Sequence, residues 1–351
     1  MNGAFVKSIE KIRRIAFLVI VNIFIFIVLF LVSEAVLSFV MRDYNFYIRT
    51  YPGQYDGKEI KHIDWAEKDE SFGWTLQKGV SFAGKDGIVY RANRQGFRDV
   101  KDFATAGAAT KKRIMLLGDS FAFGLYIDER HILPVRLQEM LHPRYSVYNV
   151  SMPGWGIDQM ILAYDMYVEI LKPDLVVFVY IDDDITRVLE AFRDIEKMNK
   201  PSFDVVNGKI VRREIAPRLW FQKICASFIS RSRIVNFIYK KYHHYYAKNI
   251  TIAMLDELIG EAKRKLLFVR YPRYQEQKNF IRTFNLAFFD LAKEFDARKV
   301  AYYDLTNDFE KLPREEHKKL YLDEGHPSEA GFEYVSKLLK QYIDADYRDN
   351  R

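Results

Sequence analysis

Apolar and polar positions follow two regimes along the chain. From Ile15 to Val32 every residue is apolar except Asn22, and the apolar bias runs on to Met41. At a helical rise of about 1.5 Å per residue this stretch is long enough to cross a hydrocarbon core. Beyond residue 111, short apolar runs alternate with stretches of helical period. Ile114–Leu117, Ser146–Val150, Leu175–Ile181, Leu266–Arg270 and Val300–Leu305 predict strands. Phe121–Gly124, with Leu133, Leu137, Met140 and Leu141 beyond it, predicts helix, as do 132–141, 159–171, 251–265, 279–295 and 328–342. Strands alternating with helices specify a mostly parallel sheet covered on both faces. The expected fold is therefore α/β, a flavodoxin-like three-layer α/β/α sandwich preceded by one transmembrane helix. Residues 44–99 differ. There Phe72-Gly73-Trp74 and the glycines at 79, 84, 87 and 96 punctuate short strands, Gly87–Tyr90 among them.

Composition narrows the classes. The chain has 351 residues, 49% of them hydrophobic, enough for one large domain with insertions. It shows no internal repeat and no low-complexity tract. Cys225 is the only cysteine, so no intrachain disulfide forms. A net charge of +7 suits an anionic membrane or an acidic glycan, and it is too diffuse for nucleic-acid binding. Part of that charge collects between Phe221 and Ile250. Lys223, Arg231, Arg233, Lys240, Lys241 and Lys248 interleave there with Phe221, Phe228, Phe237, Tyr239, Tyr242, Tyr245 and Tyr246, with no acidic residue. An amphipathic lid packing its rings on the core fits this pattern, and so does contact with anionic headgroups or a glycan. His243-His244 has no Cys, Asp or Glu nearby, so neither a metal nor a cofactor is expected.

Candidate chemistry begins where the first core strand ends. Gly118-Asp119-Ser120 follows Ile114–Leu117 at once and precedes a helix. A serine there can cap the helix. It can also present a nucleophilic hydroxyl with its backbone N–H at a helix N-terminus, where developing negative charge is stabilised. A hydroxyl nucleophile needs a base, and the base needs an orienting group. Asp323-Glu324-Gly325-His326-Pro327 supplies both, with an Asp three residues before His326, one of the seven histidines. Ser120, Gly154 and Asp183 each follow a predicted strand, and in parallel sheets sites lie at the carboxyl ends of strands.

These segments resemble the blocks of SGNH hydrolases, the GDSL-type esterases and acylhydrolases, in their membrane-anchored bacterial form. Gly118-Asp119-Ser120 matches the first block, Asn149 to Gly154 the second, and Asp323-x-x-His326 the last. Asn93 to Asp99 resembles a segment found just before the first block in anchored members, and Arg98 can reach the site or hold the segment on by an ion pair. The likeness covers roughly Lys111 to the C-terminus, with a poorly matched middle. It implies acyl transfer through Ser120, with His326 as base, Asp323 orienting it, and the Ser120 and Gly154 N–H groups as oxyanion hole. The family places Asn in the third block, G-x-N-D, as a further donor, and Asp183 stands at that position. A neutral Asp183 can donate in the oxyanion hole; an Asp183 that caps the next helix or pairs with a base such as Arg187 cannot.

On this reading the chain divides into a cytoplasmic N-terminus (1–14), a transmembrane signal anchor (15–41), an extension packing on the catalytic domain (42–110), and a catalytic domain (111–345) with an insertion at about 186–250. Lys7, Lys11, Arg13 and Arg14 precede the span, which places the N-terminus in the cytoplasm and the catalytic domain in the periplasm or outside the cell, with a single pass of the inner membrane. Ser33-Glu34-Ala35 is a poor cleavage site. Glu34 is then either at the outer interface or against a partner helix. The expected substrate is an O-acylated cell-envelope glycan or lipid. A glycan O-acyltransferase would need a membrane acyl-donor partner, and a catalytically weak glycan-binding or assembly factor is the non-enzymatic alternative.

Overall fold

The computed structural model describes residues 3–40, 65–84, 86–103, 111–193, 198–213, 232–274, 291–322 and 325–349. The chain forms two compact units, Met1–Ile48 with Trp220–Tyr242, and Arg49–Leu219 with His243–Arg351. The first unit contains helix α1 (Gly3–Val40). Within its stretch Ile9–Leu37 an 18-residue window has a mean hydropathy of 3.3 and is unburied, so this helix is long and apolar enough to cross a membrane.

The second unit begins with two small antiparallel hairpins, β1 (Ala66–Asp69) with β2 (Gly73–Leu76), and β3 (Ser81–Ala83) with β4 (Val89–Arg91). Phe72, Trp74, Leu76 and Phe97 in this extension are fully buried. They join one hydrophobic cluster with Trp155 and Tyr167 of the α/β core. The extension is thus part of the folded body, because its aromatic rings have no other place to leave water.

The core sheet has five parallel strands: β5 (Lys112–Gly118), β6 (Tyr145–Ser151), β7 (Leu175–Tyr180), β12 (Lys265–Arg270) and β13 (Ala301–Asp304), in the order β13-β12-β7-β5-β6. Every residue of β7 is buried. Val176, Phe178 and Tyr180 join one cluster, while Leu175, Val177 and Val179 join the other. That period-two split is what a strand covered on both faces requires. After β5 come α2 (Ser120–Phe123) and, beyond a short 3-10 turn, α3 (Leu133–Leu141). The helix expected from Phe121 onward is therefore broken. Gly124 adopts a left-handed φ of +84, and a Cβ there would lie 2.2 Å from Ile132. Next come α4 (Ile157–Leu171) and α5 (Asp182–Arg187).

The insertion contains two further hairpins, β8 (Phe192–Arg193) with β9 (Met198–Asn199), and β10 (Phe203–Val206) with β11 (Lys209–Arg212). Lys200 fixes it to the core: its ammonium bonds both Asp158 oxygens, at 2.9 and 2.6 Å, and the Arg187 carbonyl at 2.8 Å, all fully buried. Helix α6 runs from Arg233 to Glu261, beginning eighteen residues before the helix expected at Thr251. No Gly or Pro interrupts 233–259, so the basic aromatic stretch has no reason to stop being helical. Ala247, Ile250, Met254, Leu255 and Leu258 of α6 are buried in the second unit. The chain closes with α7 (Ala292–Ala297), α8 (Thr306–Glu310), α9 (Arg314–Lys319) and α10 (Glu329–Asp349). Most of the helix expected at 279–295 lies outside the described residues. Helices α3 and α10 cover one sheet face, and α4 and α6 cover the other.

Candidate active site

The chain builds β5, then β6 on one side of it, then β7 on the other. The gap between the carboxyl ends of β5 and β7 is the topological switch point, where open α/β sheets hold their ligands. Ser120 follows β5 and Asp182 follows β7, so both border that gap.

The turn that carries Ser120 is tight. A Cβ on Gly118 would lie 2.5 Å from the Ala122 Cβ and 2.7 Å from the Val179 carbonyl oxygen, so only glycine lets β5 pass so near β7. Asp119 caps α2, accepting the Phe121 N–H at 2.8 Å. Capping therefore falls to Asp119, and the neighbouring hydroxyl is left for other work. Ser120 Oγ lies 3.0 Å from His326 Nε2, across 206 residues of sequence. His326 comes after a turn in which the Gly325 N–H donates to the Leu322 carbonyl, and its own carbonyl accepts the Leu322 N–H at 2.7 Å. Its ring packs against Phe121 and meets Tyr126 edge-on, with centroids 5.4 and 5.3 Å away. Asp323, the expected orienting group, lies outside the described residues.

Gly154 sits in the loop after β6, with φ +80. The loop is tied to the Ser120 turn by the Met152 N–H donating to the Gly118 carbonyl at 3.1 Å. Trp74 of the extension braces it from outside. The Trp74 indole donates to the Pro153 carbonyl at 3.0 Å, and the Trp155 indole donates to the Trp74 carbonyl at 3.2 Å. Arg98 does the same for the turn after α2. Among the described residues it forms no ion pair there; it donates to the carbonyls of Gly124 and Ile127 at 2.5 and 2.7 Å and stacks 4.5 Å over the Tyr90 ring. Tyr126, held in this turn at φ +67, donates its N–H to the Tyr90 hydroxyl at 3.1 Å. A tyrosine in that left-handed region is strained, and surrounding contacts must hold it there.

Behind Ser120 lies a buried cluster of charges. Arg187 Nη1 bonds Asp119 at 3.1 Å, the Trp155 carbonyl at 2.8 Å, and Asp184. One guanidinium nitrogen thus links the Ser120 turn, the Gly154 loop and α5. Asp184 also accepts the Ile181 N–H at 2.9 Å. Burial, reinforced by the Asp119 charge, pushes the Asp184 carboxyl well above its ordinary range. Burial alone would lower Arg187, but the two carboxylates around it raise it.

The three consecutive aspartates have three fates. Asp182 forms a two-pronged pair with Arg270, both bonds 2.8 Å, and Arg270 reaches on to Asp304 at 3.0 Å. These bonds lace the carboxyl ends of β7, β12 and β13 together. Asp184 turns inward to Arg187. Asp183, at the position of the expected third oxyanion donor, forms an ion pair with Arg273 at 2.5 Å, with 37% of its side chain exposed. A carboxylate so paired has no proton to donate. The partner differs from the Arg187 expected for a paired Asp183. The chain thus brings Ser120 and His326 together, ties the Gly154 loop to the same turn, and engages Asp183 with Arg273. Sequence reasoning did not single out Trp74, Tyr126 or Arg270. Arg270 had one readable signal, a cation at the end of a buried apolar strand.

Neither a family model nor any curated protein matches the chain. Solved structures do. A lipase/acylhydrolase from Enterococcus faecalis superposes with a TM-score of 0.39 at 18% identity, covering 67% of this chain and 96% of its own. A GDSL-like lipase from Bacteroides thetaiotaomicron gives 0.38 at 15% identity, with 67% and 89% covered. An acetyl xylan esterase gives 0.39 at 15% identity, with 66% and 98% covered. Superpositions this loose do not transfer what those proteins act on.

Proposed function

We propose that this chain is a membrane-anchored serine ester hydrolase of the SGNH type, working by acyl transfer through Ser120. The observation that carries the reading is the 3.0 Å contact between Ser120 Oγ and His326 Nε2 at the switch point of a parallel sheet. Ser120 attacks the ester carbonyl while His326 takes its proton. The oxyanion is held by the backbone N–H groups of Ser120 and Gly154. His326 returns the proton to the leaving alcohol, and a water activated by the same base hydrolyses the acyl-enzyme. Asp323 is assigned the orienting role through its place three residues before His326. Arg187 neutralises Asp119, so the carboxylate nearest the nucleophile does not oppose the developing charge.

The substrate class comes from location. With α1 as an anchor and the α/β unit outside the cytoplasm, the acyl esters within reach are those of cell-envelope glycans and lipids. The test is active-site labelling. A fluorophosphonate should label the full chain and fail to label Ser120→Ala, and a short-chain aryl ester should be hydrolysed only by the former. Equal labelling of both would overturn the assignment.

A further inference from the structure

We propose that residues 232–242, the start of α6, lie in the headgroup layer of an anionic bilayer, held there by Glu34 of α1. The inference rests on the reading of α1 as a membrane span.

The first observation is a contact inside the smaller unit. The Glu34 carboxylate accepts the Arg233 N–H at 2.8 Å, the Ile234 N–H at 3.3 Å, and the Ser232 hydroxyl. The first N–H groups of a helix need acceptors from outside it. Here they come from a carboxylate about 200 residues earlier in the chain.

The second is depth. Arg14 and Glu34 bracket 19 residues, 15–33, none of them ionisable. At about 1.5 Å per residue that run is about 28 Å long, close to the roughly 30 Å of a hydrocarbon core. With Arg14 at one border, Glu34 stands at the other. There its charge is partly solvated, and it is satisfied by three donors. Whatever Glu34 caps is at that border too.

The third is the chemistry of the helix that Glu34 caps. From Ser232 to Leu255 the sequence has no acidic residue, while Arg233, Lys240, Lys241 and Lys248 are basic. Ile238 and Tyr242 are 60% and 67% exposed, and Lys241 is exposed beside them. Positions 238, 241 and 242 are spaced i, i+3 and i+4, so they share one helix face. An exposed aliphatic residue, a tyrosine and a lysine on one face suit the boundary between acyl chains and headgroups. The charge sign selects anionic lipid.

The experiment uses the full chain with Cys225→Ala, reconstituted in phosphatidylcholine–phosphatidylglycerol vesicles. Nitroxides are placed singly through Ile238→Cys or Tyr242→Cys. Phe24→Cys marks the middle of α1, and Val206→Cys, on an exposed hairpin strand, marks water. Accessibility to oxygen is compared with accessibility to a water-soluble nickel complex. The labels at 238 and 242 should favour oxygen several-fold over the label at 206 and fall short of the label at 24. In vesicles of phosphatidylcholine alone, or with Glu34→Ala, they should become more accessible to nickel while the label at 24 is unchanged. Labels at 238 and 242 as wet as that at 206, with 24 in lipid, would overturn the inference and leave the anchor standing. A label at 24 equally wet would overturn the anchor reading and the inference with it. No response to lipid charge would overturn the anionic assignment, and no response to Glu34→Ala the role of Glu34.

Discussion

If Ser120 and His326 act as nucleophile and base, as proposed, their substitution should show it. His326→Ala is expected to lower kcat by several orders of magnitude with little change in KM, because the base acts in the transition state. Asp183 makes a finer test. Its carboxylate is engaged by Arg273, so it should not titrate as an oxyanion donor. Asp183→Asn should therefore leave the shape of the pH–activity profile unchanged. A falling limb that the substitution removes would return Asp183 to the oxyanion hole. The meeting of Ser120 and His326 was legible in sequence because a hydroxyl and an imidazole are residue types that acyl-transfer chemistry restricts. The choice of cation for each aspartate was not. Arg187 is four residues from Asp183 and three from Asp184, and helical spacing admits both pairs. Burial selects Asp184, which is fully enclosed, and leaves Asp183 at the rim with Arg273.

Among the elements, the extension and the insertion are structural parts of the site. Arg98 from the extension donates to the carbonyl of Ile127, in a buried bond, and to that of Gly124, which also accepts the Ile127 N–H at 3.3 Å. Arg98→Ala is expected to cost about 1–3 kcal/mol by thermal unfolding, the penalty of the one carbonyl left without a donor. Arg98→Lys should recover part of it, since an ammonium can reach one carbonyl and lacks the planar fork for both. The insertion depends on Lys200 and Asp158. Burial raises Asp158 and lowers Lys200, and each charge is tolerated because of the other. Lys200→Ala should therefore cost about 3–5 kcal/mol, while pairing Lys200→Met with Asp158→Leu should cost far less. Equal losses from the single and the double replacement would show that packing, and not charge, fixes the insertion. The strands were legible because doubly buried strands read as apolar runs. The break at Gly124 was not, since the clash with Ile132 that demands it is a tertiary contact. Nor was Trp74, whose two carbonyl partnerships span about 80 residues.

For the whole molecule, an anchored chain with its N-terminus inside should lose its large unit to protease added outside spheroplasts. Protection until the membrane is broken would reverse the orientation. The alternation of strand and helix made the architecture legible, while the switch point depends on strand order, which only the structure supplies. The 206 residues between Ser120 and His326 also set a clock. Synthesis at roughly 5–20 residues per second puts about 10–40 s between the emergence of the nucleophile and that of its base. During that interval the Ser120 hydroxyl exists without the imidazole it meets in the folded chain. On the proposed mechanism the polypeptide is therefore born chemically silent, and turnover can begin only after the strand bearing the serine has waited for the far end of the chain to arrive.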